Sequence, residues 1–500
     1  MDSLSLLLEG FAAALTPMNL LWVFVGAALG TAVGVLPGLG SSMAVALLLP
    51  VTFTLDPTGA FIMFAGVYFG GLFGDSISGI LLNTPGNSSA IAATFEGHKM
   101  ALSGRAPQAL ATSAIGAFVG GLLATTLVAF GAPIMAEMAT LFGPAEYFAL
   151  AVFAFVAISA VVADSVLKGM ASLLIGLAIA LVGIDGPSGA SRFTLGIPQF
   201  FDGISIIVVT VGVLALGEVL YVASRRNHPT ASLVPSGGRP WLSWSELKDA
   251  APAWLRGTAF GLPFGVVPVG GSEIPTFMAY GTERRLDRRR RRPMFGRGAI
   301  RGVAAPEAAG NATAGTAMGA LLTLGLPTSA TAAIMLAAFT QYGMQPGPLL
   351  FEKNGDLVWT LLASLFIGLV VLLVLNLPFA PLWAKLLSVP RHYLYAGITL
   401  FAGLGVYASS GSIADVFLLI GIGLAAFLMR RYGLPLAPVL IAVVLGPLAE
   451  TELRRTLAIS EGDVSALFNS GITVTLYTLL VGAILVVLIM RIRQRAKADI

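Results

Sequence analysis

No cysteine occurs among the 500 residues, which excludes a disulfide framework, a thiolate metal site and a cysteine nucleophile. Charge is scarce: Asp, Glu, Lys and Arg make up 11% of the chain, against about 25% in ordinary soluble domains. The three histidines, His98, His228 and His392, are dispersed, so no metal site built from them is expected. Catalytic motifs are missing too. Nothing matches G-x-x-x-x-G-K-[ST], so the chain is not expected to hydrolyse ATP. There is no H-E-x-x-H, and no G-x-S-x-G elbow with a histidine placed to serve it. The expectation is a protein that is not an enzyme. The net charge of +4 lies mostly in short connecting segments, where membrane topology accounts for it, and no nucleic-acid partner is expected.

What the chain has in abundance is apolar length. It is 56% hydrophobic with a mean hydropathy of +0.88. Runs at 148–163, 173–184, 204–222, 357–377 and 472–490 approach or reach the ~20 residues that span a bilayer, and roughly a dozen such segments can be counted. They are continuous rather than alternating, which excludes a β-barrel. The fold class is therefore an all-α polytopic membrane protein, with the lipid bilayer as its solvent. Its 59 glycines and 28 prolines agree with packed transmembrane helices. Asp2 and Glu9 stand where a signal peptide has basic residues, so the N-terminus reads as the start of a first span.

Two proline-glycine loops interrupt these segments at matching places. Gly34-Val35-Leu36-Pro37-Gly38-Leu39-Gly40-Ser41 and Gly265-Val266-Val267-Pro268-Val269-Gly270-Gly271-Ser272 are identical at five of eight positions when shifted by 231. A second break, Asn83-Thr84-Pro85-Gly86-Asn87-Ser88-Ser89, pairs with Gly325-Leu326-Pro327-Thr328-Ser329-Ala330-Thr331 at a shift of 242. The difference fits an insertion in the arginine-rich stretch 284–297, which has no first-half counterpart. The expected organisation is a first transmembrane repeat at 1–224, a polar cytoplasmic linker at 225–252 and a second repeat at 253–500. Paired interruptions in corresponding positions point to a transporter's binding site, because unwound backbone is tolerated at membrane depth only where protein or a cavity satisfies it.

Charge orients the halves. The run Arg284, Arg285, 288–292 and Arg297 is expected to be cytoplasmic, whereas the equivalent first-half loop around Asp56 carries no positive charge. Conversely, His98, Lys99 and Arg105 follow the first Pro85 break, while the matching loop at 352–356 is net acidic. Basic residues thus swap sides, which predicts two inverted-topology repeats with broken helices or re-entrant hairpins at the bilayer midplane. Arg430, Arg431 and the C-terminal Arg491, Arg493, Arg495 and Lys497 fit this scheme. Arg454 and Arg455 fall outside, offset by Glu450, Glu452, Glu461 and Asp463. The arginine run is read as an orientation signal, with a phospholipid-binding patch as the alternative.

Small and hydroxylated residues gather at the breaks. A half-helix starting after Pro37 or Pro85 presents unpaired N–H groups and the positive end of its dipole, which together form an anion site. The expected substrate-binding residues are Gly40, Ser41, Ser42, Asn83, Thr84, Pro85, Gly86, Asn87 and Ser88, with Gly271, Ser272, Pro327, Thr328 and Ser329 in the second half. The competing reading is that these small residues only permit close helix packing. Three acids lie in apolar segments, Asp75, Glu273 and Glu307, and with Asn311 they are the coupling-ion candidates. The alternative for each acid is an interfacial ion pair or cap, and Pro306-Glu307 has the form of a first-turn acid. Asp164 and Lys168, a helical turn apart, read as an interfacial salt bridge.

These residues also carry a family resemblance. Tyr68-Phe69-Gly70-Gly71, Ser76-Ile77-Ser78, Ile80-Leu81-Leu82-Asn83-Thr84-Pro85-Gly86 and Glu96-Gly97-His98-Lys99-Met100-Ala101 resemble the large membrane subunit, TctA type, of tripartite tricarboxylate transporters. So do Pro268-Val269-Gly270-Gly271-Ser272-Glu273-Ile274-Pro275-Thr276-Phe277, Gly302-Val303-Ala304-Ala305-Pro306-Glu307 and Leu322-Thr323-Leu324-Gly325-Leu326-Pro327. The sequence departs from the family's usual pattern at Asp75 (a small residue), Gly310 (asparagine), Thr328 (glycine) and Arg301 (an acid). Those departures bear on substrate identity rather than fold. The resemblance implies a secondary transporter of di- or tricarboxylates or related organic acid anions, driven by Na⁺ or H⁺, with no other cofactor. Its implied partners are a small four-helix membrane subunit and a periplasmic solute-binding protein, and its implied place is the bacterial cytoplasmic (inner) membrane. An anion channel or passive exchanger is the alternative, since the same half-helices suit a pore.

Overall fold

The computed structural model describes residues 3–36, 40–52, 55–139, 141–162, 165–185, 188–224, 234, 238–267, 271–289 and 292–482. Pro37-Gly38-Leu39, Asp164, most of the expected linker, Pro268-Val269-Gly270, Arg290, Arg291 and the C-terminal basic cluster lie outside the described residues.

The first half comprises α1 (Ser3–Ala14), α2 (Pro17–Val35), α3 (Ser41–Thr52), α4 (Pro57–Leu82), α5 (Ile91–Met100), α6 (Ala106–Ala139), α7 (Pro144–Val162), α8 (Val166–Ala180), α9 (Ile206–Val211) and α10 (Gly217–Ser224). The second comprises α11 (Trp244–Val266), α12 (Glu273–Asp287), α13 (Arg301–Leu324), α14 (Ala330–Gln341), α15 (Pro348–Lys353), α16 (Gly355–Asn376), α17 (Ala380–Ala384), α18 (Arg391–Ser410), α19 (Ile413–Arg431) and α20 (Ala437–Ile459). Among the described residues six helical stretches are long and apolar enough to cross a membrane. Further apolar helices of 10–17 residues accompany them among the described residues. Large apolar side chains stand outward on α8, α18 and α19, as Leu167, Leu174, Phe401 and Phe417 do. This is an all-α polytopic membrane protein.

Local chemistry sets the helix ends. Asp56 caps α4 by accepting from Gly59 N–H at 2.9 Å, and Pro57 fills the first turn, where no donor is needed. A capping box between Ser243 and Glu246 starts α11 at Trp244. That helix is therefore well under way at residue 252, where the sequence alone placed the end of the linker. At their other ends α4 and α13 stop on left-handed residues, Asn83 (φ 55°) and Gly325 (φ 66°), which donate to the carbonyls of Gly79 and Leu321. Each of these positions maps on the other at the shift of 242.

The same two shifts govern packing. Gly26, Gly30 and Gly34 of α2 lie so close to α4 that an added Cβ would fall on the carbonyls of Met63, Val67 and Gly71. Gly257, Gly261 and Gly265 of α11 lie equally close to the carbonyls of Ala305, Ala309 and Thr313 on α13. The glycines are related by 231 and the carbonyls by 242. In both pairs the numbers rise together, so α2 runs parallel to α4 and α11 parallel to α13. Only glycine permits such backbone approach, the small-residue packing that replaces the hydrophobic effect between helices in lipid. The returning helix α3, of 12 residues, is only about 18 Å long, short of the ~30 Å hydrocarbon layer. Its first residue, Ser41, rests against Gly71 in the middle of α4, so the α2–α3 hairpin ends inside the protein.

Helices α4 and α13, the most enclosed spans of the two halves, run antiparallel. Going up α4, Phe61 stacks on Phe339 at 3.7 Å, Tyr68 hydrogen-bonds to Ser329, Ser76 donates to Glu307, and Ile80 meets Gly97, which also faces Val303. The second-half numbers fall as the first-half numbers rise.

The two ends of the molecule differ in chemistry. At the arginine-rich end, Glu96 is wholly buried and accepts from the N–H groups of Gly296 (2.7 Å), Gly298 and Ala299 (both 2.9 Å). Asp287 likewise holds the N–H groups of Met294 and Phe295. Lys168 bonds to the Tyr432 carbonyl beside Arg430 and Arg431; its expected partner, Asp164, lies outside the described residues. At the opposite end a two-stranded hairpin, β1 (Gly183–Ile184) with β2 (Ser191–Arg192), is tied to α20 by Arg192–Glu450 at 2.7 Å, and Glu450 also pairs with Arg454 of its own helix at 2.7 Å. Arg454 also reaches Asp185, and Arg455 sits 3.8 Å from Glu452. A hydrogen bond from Ser188, with Arg454 and Arg192 nearby, holds the Asp185 carboxyl below its ordinary range. The two arginines that fit the charge pattern least well are thus neutralised in place.

Leucine at position 30 or 261 should force α2 from α4, or α11 from α13. Overpacking of this kind costs about 1–3 kcal/mol, so each variant should melt lower than the natural protein in detergent. Glu96→Gln leaves one buried N–H facing an amide donor, a loss of roughly 1–3 kcal/mol. The expected outcome is faster tryptic cleavage within 284–297 while the spans stay protected. Equal cleavage rates would show that Glu96 does not hold this loop.

Candidate functional site

Both hairpin tips and both breaks meet in the interior. Gly40 at the first tip faces Asn87, and Gly271 at the second (φ 89°) faces Ser329, its Cβ position 3.8 Å from the serine Cβ. These two pairs correspond under the shifts of 231 and 242. The halves join where Ser42 shares a 2.7 Å hydrogen bond with Thr331, with Ser41 at 3.5 Å. Ser329 caps α14 by accepting from Ala332 N–H at 3.2 Å, and Tyr68 adds a second contact to it.

Asp75, in the last two turns of α4, is 1% exposed. Its carboxylate accepts from the N–H of Gly86 and from that of Asn87, the latter at 3.0 and 2.9 Å. The donors after Pro85, which the sequence offered to a substrate anion, are thus engaged by a side chain of the same half. Asn83 stands exposed at the end of α4, and Ser88 begins a single turn of 3-10 helix leading into α5. Thr84 Oγ1 and Thr328 Oγ1 are buried and have no partner among the described residues. Pro327 lies in the extended segment between α13 and α14, and Ser272 stands at the N-cap position of α12 without a side-chain cap bond.

Glu307 corrects one expectation. Helix α13 begins at Arg301, so Glu307 lies in its second turn and is buried, not a first-turn acid near the interface. Pro306 stands inside the helix, past the free donors of the first turn, so it leaves the Gly302 carbonyl without its usual intrahelical donor. Ser76 donates to Glu307 at 2.6 Å and Ser113 of α6 is a further hydrogen-bond partner. Asp75 and Glu307 are in electrostatic reach of each other, and among the described residues neither has a basic ion-pair partner. Asn311, one turn on, donates to the Glu307 carbonyl at 3.1 Å, and its Oδ1 is buried without a partner among the described residues. Glu307 and Asn311 Oδ1 thus offer hard oxygen donors suited to Na⁺. Glu273 stands apart, in an outward groove of 620 Å³ with Phe277, Met278 and Arg285. No cluster of three or more His, Cys, Asp or Glu is present among the described residues.

Tyr68 and Ser113 are the site neighbours that the sequence reading did not single out for binding. Tyr68 is inside the quoted motif at a helical spacing from Asp75, a usable signal. Ser113 has none, since its role depends on α6 crossing α13.

Each hairpin is braced at one end of the molecule. Buried Glu283 of α12 accepts from Arg256 of α11 at 2.6 and 3.1 Å and from Arg301 at 3.4 Å, and Arg301 reaches Asp249 at 2.9 Å. On the first hairpin, the Tyr342 hydroxyl donates to the Thr52 carbonyl at 2.6 Å.

A protein of *Agrobacterium vitis* described as an uncharacterized 52.8 kDa protein in the TAR-I ttuC' 3' region is 40% identical over 99% of this chain and 98% of its own length. A second from the same organism, an uncharacterized protein in the TAR-II ttuC' 3' region, is 38% identical over 47% of this chain and 96% of its own length. No solved structure matches. Residues 20–441 match the tripartite tricarboxylate transporter TctA family, and the chain, a multi-pass membrane component of such transporters, belongs to that family.

Proposed function

We propose that the chain is the large permease subunit of a binding-protein-dependent, ion-gradient-driven secondary transporter for organic acid anions. It works in the bacterial inner membrane with a small four-helix subunit and a periplasmic solute-binding protein. The observation that carries this reading is the paired geometry of the interior: Gly40 with Asn87, Gly271 with Ser329, and Ser42 bonded to Thr331 across the halves. Helix packing alone has no use for two corresponding breaks that each meet the end of a hairpin. The antiparallel course of α4 and α13 supports an inverted repeat, in which one half rocks against the other around a fixed site.

Electrostatics supports ion coupling. The interior holds Asp75 and Glu307 with no basic partner among the described residues, so a substrate anion entering beside them needs an accompanying cation or proton. Glu307 and Asn311 are the side chains proposed to receive it. Hydroxyls of Ser41, Ser42, Ser329 and Thr331 supply neutral donors for the carboxylate, which leaves it weakly enough held to be released. The brace at Glu283 fastens one hairpin at the arginine-rich end and Tyr342 fastens the other at the opposite end, as alternating closure requires.

In proteoliposomes with its small subunit, the chain should accumulate a carboxylate only when the cognate binding protein and an inward Na⁺ or proton gradient are both present. Equilibration without either would instead mark a channel or passive exchanger. Sidedness is testable because the natural chain has no cysteine. A cysteine at Arg289 should react only from the cytoplasm and one at Asp56 only from outside. Labelling of both from one side would remove the inverted repeat.

A further inference from the structure

The two breaks are alike in backbone and unlike in what fills them. At the first, the donors are the N–H groups of Gly86 and Asn87, and both are held by the buried Asp75 carboxylate. Shifted by 242, these positions become Thr328 and Ser329, and Asp75 becomes Ala317. A methyl group accepts nothing, so the second break has no equivalent of that carboxylate. Thr328 is 1% exposed, and its hydroxyl has no partner among the described residues. One cradle is therefore filled by the chain itself, while its counterpart has no such carboxylate and keeps one buried hydroxyl, that of Thr328, without a partner among the described residues. Gly86 and Asn87 are only partly buried although Asp75 is enclosed, so small solutes can reach the filled cradle.

Resting on the carboxylate-carrier reading above, we propose that Asp75 is a specificity-determining residue. It occupies one of two equivalent carboxylate cradles with its own side chain. The substrate then seats a carboxylate on the break at Thr328 and Ser329, and it carries one carboxylate fewer than an empty pair of cradles would accept. The favoured ligand class is a monocarboxylate, or an acid whose second arm is neutral. A second anionic arm would meet Asp75 and Glu307, two carboxylates without a basic partner among the described residues, and like charges so placed disfavour it. A small residue at position 75, as the family resemblance leads one to expect, would leave both cradles open.

The test returns the missing side chain as a free molecule. Asp75→Gly removes a group that acetate reproduces. Asp75→Ala, which keeps better helix propensity within α4, removes one that formate reproduces. In the purified full-length chain, acetate should raise the melting temperature of Asp75→Gly, and formate that of Asp75→Ala, beyond an equal concentration of chloride. The natural protein should show neither effect. The second readout is the ratio of affinities for succinate and its monoamide, succinamate. It should move at least tenfold toward succinate in either variant, because one charge-assisted hydrogen bond is worth roughly tenfold to a hundredfold in affinity. Folded variants that gain no stability from acetate or formate would overturn the proposal. One unchanged succinate-to-succinamate ratio in all three proteins would also overturn it, while leaving the carrier reading in place. Absence of carboxylate binding in every protein, with acetate and formate silent as well, would remove the carrier reading together with the proposal.

Discussion

A helix interrupted inside an apolar layer leaves backbone donors and acceptors that bulk water does not reach, and each such group costs free energy until it is paired. Much of this protein's interior answers that constraint. After α4 stops at Leu82, the N–H groups of Gly86 and Asn87 are satisfied by Asp75, eleven and twelve residues back. After α13 stops at Leu324, Ser329 caps the next helix with its own hydroxyl and Tyr68 reaches it from the other half. The carboxylate of Glu96 performs the same service for three N–H groups of the loop before α13.

Close packing supplies the rest of the frame. Where α2 meets α4 and α11 meets α13, glycines every fourth residue bring backbones together, so dispersion replaces a hydrophobic effect that is absent between apolar helices in lipid. The two pairs repeat one packing geometry in the two halves.

Much of this was legible in the sequence, and for a physical reason. Proline and glycine restrict or free the backbone locally, so Pro85 with Gly86 and Gly325 with Pro327 announce their breaks without reference to anything distant. The shifts of 231 and 242, first seen in the loops, return as the spacing of the packing glycines and of the carbonyls they meet. Side-chain partnerships were less legible because they depend on elements remote in the chain. Glu96 meets Gly296 across 200 positions, and Ser76 meets Glu307 across 231. For Glu307 the cap alternative rested on Pro306, which imitates a helix start, whereas the true first turn begins at Arg301. Arg454 meets Asp185, a partner far back in the chain that its sequence neighbourhood does not announce.

Asp75 and Glu307 lie in the interior of a membrane-spanning protein, in electrostatic reach of each other and with no basic partner among the described residues. Charges placed there are immersed in the transmembrane electric field. An elementary charge carried through the whole of that field is worth about 2.3 kcal/mol per 100 mV, and a partial displacement counts in proportion. When the two acids are ionised, any rocking that moves α4 and α13 along the membrane normal is therefore also a movement of charge. The membrane potential then biases the conformational equilibrium directly, before any ion or substrate has bound, and current can accompany a turnover whose bound cargo is electrically neutral.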